Sequence, residues 1–157
     1  MVEMHTARSR DVAVAAPIGM VSLAPNTWTE PFWIAAGQHQ LVVQRCVSCG
    51  AVRHPPGPFC PTCRTQESEW MDLSGRATLY SFTVIRHALA PHLREYLPMV
   101  IAVVEPEEAP NARLVANLVE VDTQDVVIGM PLEVVWEDAG DGLAVYRFRP
   151  ADETARA

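Results

Sequence analysis

Cys46-Val47-Ser48-Cys49 and Cys60-Pro61-Thr62-Cys63 decide how the first half of this chain folds. The spacing is C-x2-C, ten residues, then C-x2-C, and these are the only 4 cysteines in 157 residues. Each pair can place two thiolates on one tight turn. Two such turns facing each other make a tetrahedral S4 cage, the ligand set of a closed structural zinc site. The segment between the pairs, Gly50 to Phe59, is rich in Pro and Gly and too short for its own core. A metal would hold it together where packing cannot. Two disulfides would need an oxidising compartment, and no export signal precedes the pairs. A thioredoxin-type redox pair needs a helix N-terminus within a βαβ pattern, which neither pair has. Rubredoxin-type iron takes the same S4 geometry and stays open beside zinc at this stage. His54 lies between the pairs and reads as a surface residue, because four thiolates already complete a tetrahedron.

Working outward, residues 27–45 read as a short helix followed by a strand. Thr29 suits the N-cap, Glu30 the first turn and Pro31 an early helical position. Gly37 stops the helix after about two turns, too short for stability alone. Its Phe32 and Trp33 must dock on the metal module, the main domain or another chain. Leu41, Val43 and Arg45 then alternate with Val42 and Gln44 into the first Cys pair. After Cys63 the chain turns polar to Glu69, with Trp70 and Leu73 next and Gly75 as a turn residue.

From there the pattern is strands. Ala77 to Ile85 is β-branched and aromatic. Met99 to Val104 reads as a run buried on both faces, and Arg113 to Val121 alternates. Leu132 to Trp136 and Leu143 to Phe148 form a hairpin across Asp138-Ala139-Gly140-Asp141-Gly142. Five strands in about 75 residues predict a small closed barrel of OB type. The expected division is a flexible N-terminus (1–27), helix plus ribbon (28–70), barrel (71–150) and a flexible tail (151–157).

The stretch from Arg86 to Pro98 is the longest irregular segment of the β-region, and long loops in compact domains are often functional. Its Arg86 and Arg94 are candidates for an anionic group, such as a phosphate or a cofactor's pantetheine arm. Net charge is −7, and all 12 basic residues are Arg. Residues 103–157 hold 12 Asp and Glu against 4 Arg, so the second half is strongly acidic. That balance argues against non-specific nucleic-acid binding, which runs on phosphate neutralisation. No apolar run approaches the ~20 residues of a membrane span, and a cytoplasmic protein is expected. No GxSxG, HExxH, P-loop or GxGxxG motif is present. With every Cys assigned to metal, no thiol nucleophile is left, and a closed S4 site does no Lewis-acid chemistry.

The order of these features resembles the DUF35 family. It runs through Pro31-Phe32-Trp33, Leu41 to Cys46, the second CxxC, Trp70, Ser74-Gly75-Arg76-Ala77-Thr78-Leu79-Tyr80-Ser81-Phe82-Thr83-Val84 and Ile128-Gly129-Met130-Pro131-Leu132-Glu133-Val134. The likeness covers about residues 28–149. It implies an N-terminal helix, a rubredoxin-like zinc ribbon with Cys46, Cys49, Cys60 and Cys63 as ligands, and a C-terminal OB-fold. It further implies a non-catalytic partner of thiolase-superfamily enzymes acting on acyl-CoA thioesters: a thiolase, an acyltransferase or a steroid side-chain aldolase. The expected assembly is a heterotetramer with two copies of each chain, contacted through Phe32, Trp33 and the ribbon, with a CoA thioester at the interface near Arg86 or Arg94. A stand-alone acyl-CoA binding protein and an OB-fold nucleic-acid binder are the alternatives.

Overall fold

The computed structural model describes residues 11–20 and 24–152. The order of elements is mostly β. A 3-10 turn, Ile18–Met20, precedes the single α-helix among the described residues, α1 (Glu30–Ala36). Three strands follow: β1 (Leu41–Cys46), β2 (Val52–Arg53) and β3 (Ser68–Leu73). The remaining five are β4 (Arg76–Ile85), β5 (Met99–Pro106), β6 (Leu114–Leu118), β7 (Pro131–Gly140) and β8 (Leu143–Pro150). They make two sheets: an antiparallel ribbon ordered β2-β1-β3, and a closed barrel ordered β4-β5-β6-β8-β7.

The barrel is the predicted one, and its topology is that of the OB-fold. Four of its seams are antiparallel hairpin or closure pairings, and β6 meets β8 in parallel. That parallel seam is narrow, with Leu118 opposite Phe148. Alternation puts one face of each strand inside. Leu79, Val100, Val104, Leu114, Leu118, Leu132 and Phe148 are fully buried there. The run Met99–Pro106 is buried on one face only, in strict alternation, not on both. The reason is closure: a barrel strand has an outer face, and the outer residues Ile101 and Val103 are half-covered. The β7–β8 hairpin turns on two residues, Asp141 and Gly142, not five. Both take positive φ (51° and 73°), the backbone of a tight hairpin turn that favours Asp-Gly.

α1 starts at Glu30, with Pro31 in its first turn. Thr29 makes no side-chain cap. Asn26 closes the turn before it: its Oδ1 accepts from the Trp28 and Thr29 amides at 3.0 and 3.1 Å. Gly37 ends the helix for a reason of packing. A Cβ there would lie 2.0 Å from the Gly142 carbonyl oxygen, so only glycine lets the helix end touch the β7–β8 hairpin.

Phe32 is not a free anchor. It is 2% exposed, edge-on to Tyr146 of β8 at 5.7 Å and beside the His54 ring at 5.1 Å. One ring thus packs on both barrel and ribbon. β3 was not foreseen as a strand. It pairs with β1 along its whole length, from Leu41↔Leu73 to Cys46↔Ser68, so the ribbon sheet runs to Leu73.

Within the N-terminal stretch expected to be flexible, residues 11–16 lie on the barrel as a strap. Ala13 N–H donates to Val121 O and Val14 N–H to Pro98 O, both at 2.8 Å. Val12 bridges Asp122. Residues 1–10 and 153–157 lie outside the described residues.

Candidate metal centre and flanking surfaces

The two CxxC turns are built alike. In the first, Cys46 N–H donates to Ala51 O and Gly50 N–H to Cys46 O, both at 2.9 Å. In the second, Cys60 N–H donates to Thr65 O at 2.8 Å and Arg64 N–H to Cys60 O at 3.0 Å. Each turn closes on a residue of positive φ, Gly50 at 72° and Arg64 at 66°. β1 leads into the first turn and the second turn leads into β3, and the β1–β3 pairing, with Cys46 opposite Ser68, brings the two together. Cys46 Sγ lies 3.5 Å from Cys63 Sγ, and Cys49 Sγ 3.5 Å from Cys60 Sγ. All four sulfurs sit within 4.8 Å of one another.

Four thiols packed this closely, with two of them buried, suit a small dication that accepts four thiolates. Backbone N–H groups of Cys63 and Thr62 hold the Cys60 thiol down, to about 6. The Ala51 N–H lowers Cys49 too, but the Cys60 thiol, burial and the other two thiols together push it up to about 12. Crowding of this kind among thiolates is relieved by a bound cation.

Beside the cage the ribbon buries polar groups. Arg53, 9% exposed, donates from Nε to Gln44 Oε1 at 2.9 Å and from Nη2 to Gly57 O at 2.8 Å. Gly57 N–H donates to the same Gln44 oxygen at 2.9 Å. His54 is half-buried, not an exposed surface residue: its Nδ1 is buried without a hydrogen-bond partner among the described residues. Burial pushes its imidazole down to about 4. Sequence reasoning missed Gln44 and Arg53. The signal was available, because Gln44 shares its parity on β1 with Val42 and Cys46, an inward face.

Arg86 and Arg94 do come to one cleft of about 510 Å³, lined also by His87, Leu89 and Leu97. They differ in what holds them. Arg86 is taken up by the strap, pairing with the Asp11 carboxylate and donating to Thr123 Oγ1 at 2.7 Å. That pairing, with the Thr123 hydroxyl, lowers the Asp11 pKa. Arg94 has no ion-pair partner among the described residues and is exposed. A second, shallower cleft of about 220 Å³ lies against half-buried Trp33, with Ile101, Val115, Val145 and Tyr146. Val115 is 59% exposed there. No helix among the described residues is long and apolar enough to cross a membrane.

Residues 33–69 match the family model described as the rubredoxin-like zinc ribbon domain of ChsH2, and residues 70–137 match the ChsH2 C-terminal OB-fold domain. A probable enoyl-CoA hydratase alpha subunit of Thermomonospora curvata is 41% identical over 121 residues, covering 76% of this chain but 37% of that protein. The chain therefore spans well under half the length of that relative. A DUF35 domain-containing scaffold protein of Methanocaldococcus jannaschii is 36% identical over 119 residues, covering 71% of this chain and 82% of that one. Among solved structures, a chain of the Ltp2-ChsH2(DUF35) aldolase superposes with a TM-score of 0.74 at 37% identity, covering 83% of this chain and all of that one.

Proposed function

The chain belongs to the DUF35 family, and from that premise we propose that it is a non-catalytic accessory subunit of a thiolase-superfamily enzyme acting on acyl-CoA thioesters. One observation carries the reading: the chain is similar, over the full length of the matched chain, to a component of the Ltp2-ChsH2(DUF35) aldolase. The chemistry of the chain agrees. Its 4 thiols converge on one site, which leaves none to act as a nucleophile. A structural zinc held by Cys46, Cys49, Cys60 and Cys63 is closed and offers no open coordination position. The strap and the acidic balance count against nucleic acid on the barrel.

In this reading the partner sits on the face of exposed Val115 and half-buried Trp33 and Ile101, two copies of this chain flank an enzyme dimer, and the assembly is cytoplasmic. Arg94, not Arg86, is the cation free to pair with a CoA phosphate. Co-expression with a thiolase-fold enzyme of the same genome is expected to yield a stable complex. Val115→Arg places a charge in the apolar patch and is expected to weaken that complex by about 100-fold, about 3 kcal/mol. Trp33→Ala is expected to weaken it less, because part of that ring already packs on its own chain. Acyl-CoA turnover by rigorously partner-free protein, or a complex indifferent to Val115→Arg, would overturn the reading.

A further inference from the structure

Arg86 and Leu97 line two clefts at once. One is the cleft of about 510 Å³ that also holds Arg94, His87, Leu89 and Pro91. The other is smaller, about 210 Å³, and is lined by Asp11, Arg86, Leu97 and Pro98. The Arg86 guanidinium is committed to the smaller side. It pairs with the Asp11 carboxylate and donates from Nη2 to Thr123 Oγ1 at 2.7 Å. The Thr123 hydroxyl donates in turn to Asp11 Oδ2 at 2.9 Å. Backbone ties run through the same residues: Thr123 N–H donates to Asp11 O, and Asp11 N–H to Asp122 Oδ2, both at 3.0 Å. The first residue of the strap is thus set beside a second carboxylate, and Arg86 is the cation paired with it.

We propose that the Arg86–Asp11 pair is a latch opened by a phosphate group: the phosphate enters the larger cleft at Arg94, draws the Arg86 guanidinium across, and releases the strap end at Asp11. The inference rests on the reading that Arg94 meets a CoA phosphate, and adds what that binding does to the strap. The lining names the ligand class. Two guanidiniums stand beside Leu89, Pro91 and Leu97, and no carboxylate lines this cleft among the described residues. That set suits a phosphate carried on an organic body. The pair to be broken is exposed, with the Arg86 and Asp11 side chains 55% and 31% accessible. Exposed pairs of this kind hold by about fivefold or less. Charge-assisted bonds from two guanidiniums to one phosphate outweigh a single contact of that sort. Once Arg86 leaves, Asp11 has lost its cation while the Asp122 carboxylate stays against its amide, and like charge pushes the strap end away.

The experiment is an NMR titration of the zinc-loaded full chain with acetyl-CoA and with inorganic phosphate, and with S-acetylpantetheine as the phosphate-free control. Both phosphate compounds are expected to bind saturably and to speed hydrogen exchange of the Thr123 and Ala13 amides about fivefold or more; S-acetylpantetheine is expected to do neither. Tighter binding of acetyl-CoA assigns the phosphate to the cofactor, and tighter binding of inorganic phosphate to the free anion; the latch holds in both cases. Asp11→Asn removes the competing charge. It should tighten acetyl-CoA binding about threefold to fivefold and leave the two amides fast before any ligand is added. Arg94→Gln should weaken binding about tenfold, with Thr123 still protected in the free protein. Unchanged affinity in Asp11→Asn, or amides that stay protected at saturation, would overturn the latch and leave the phosphate site standing. No saturable binding of either phosphate compound, or equal binding of S-acetylpantetheine, would overturn latch and phosphate site together. The accessory role is read separately, from complex formation and Val115→Arg.

Discussion

The ribbon and the barrel solve the same problem with opposite means. The barrel closes on itself and buries Leu79, Val100, Leu114, Leu118 and Phe148 in an apolar interior. The ribbon has three short strands, buries Gln44 and Arg53 among its few inward positions, and brings four sulfurs together at one end. A sheet that small cannot bury enough apolar surface to order itself. Its stability is tied to ligand chemistry, and the barrel's to area removed from water. The two halves should therefore fail under different insults.

The largest effect separates them most sharply. Cys49→Ser, or a strong chelator, removes a metal whose binding in small modules is worth about 10 kcal/mol or more. Hydrogen exchange is expected to collapse across β1, β2 and β3 while β5 and β6 stay protected. Wild-type protein is expected to carry one zinc, and less than half an equivalent by elemental analysis, with all thiols titratable, would break the comparison. The converse insult is Phe148→Ala. It empties the centre of the barrel and should cost about 3–5 kcal/mol in denaturant unfolding, with zinc content unchanged.

The joint between the halves is sharpened by pH. His54 is held down to about 4, against an ordinary 6.5. Between those values the unfolded chain binds one proton more than the folded one, so stability is full above about pH 6.5 and falls as pH drops toward 4. The full effect approaches about 3 kcal/mol. His54→Phe keeps the ring packing and is expected to flatten this slope relative to wild type; zinc loss in acid affects both proteins alike and leaves the difference readable. The smallest effect tests the seam. Gly37→Ala drives a methyl group onto the Gly142 carbonyl and should cost about 1–3 kcal/mol in thermal unfolding. No change there would mean that helix and hairpin slide apart freely.

The barrel strands were legible because alternation is a local signal, and the cage because ligand spacing is local too. What escaped the sequence is non-local. Ser68 to Leu73 carries Glu69 and Asp72 and has no apolar run; it is a strand because β1 offers it six partners. The sequence left the partner of Phe32 open among ribbon, barrel and another chain because Tyr146, which covers it, lies 114 positions further on. The resemblance to a family supplied what periodicity did not, the expectation of a thiolase-superfamily partner. Arg86 shows its limit: loop length and charge marked it as a ligand for phosphate, while its carboxylate partner is Asp11, in a stretch read as flexible.

The strap also bears on how the barrel breathes. The parallel seam between β6 and β8 is its narrowest, with one registered pair. Arg147 of β8 donates to Asn117 Oδ1 of β6 and, at 2.9 Å, to Ala16 O, while Ala16 N–H donates to the same Asn117 oxygen at 3.3 Å. The strap is in effect a splint laid across the joint where the cylinder would split first. A fragment cut to begin at the helix would keep all eight strands and yet lose that splint, and any domain joined upstream would pull on the barrel's weakest line, not on its metal-held ribbon.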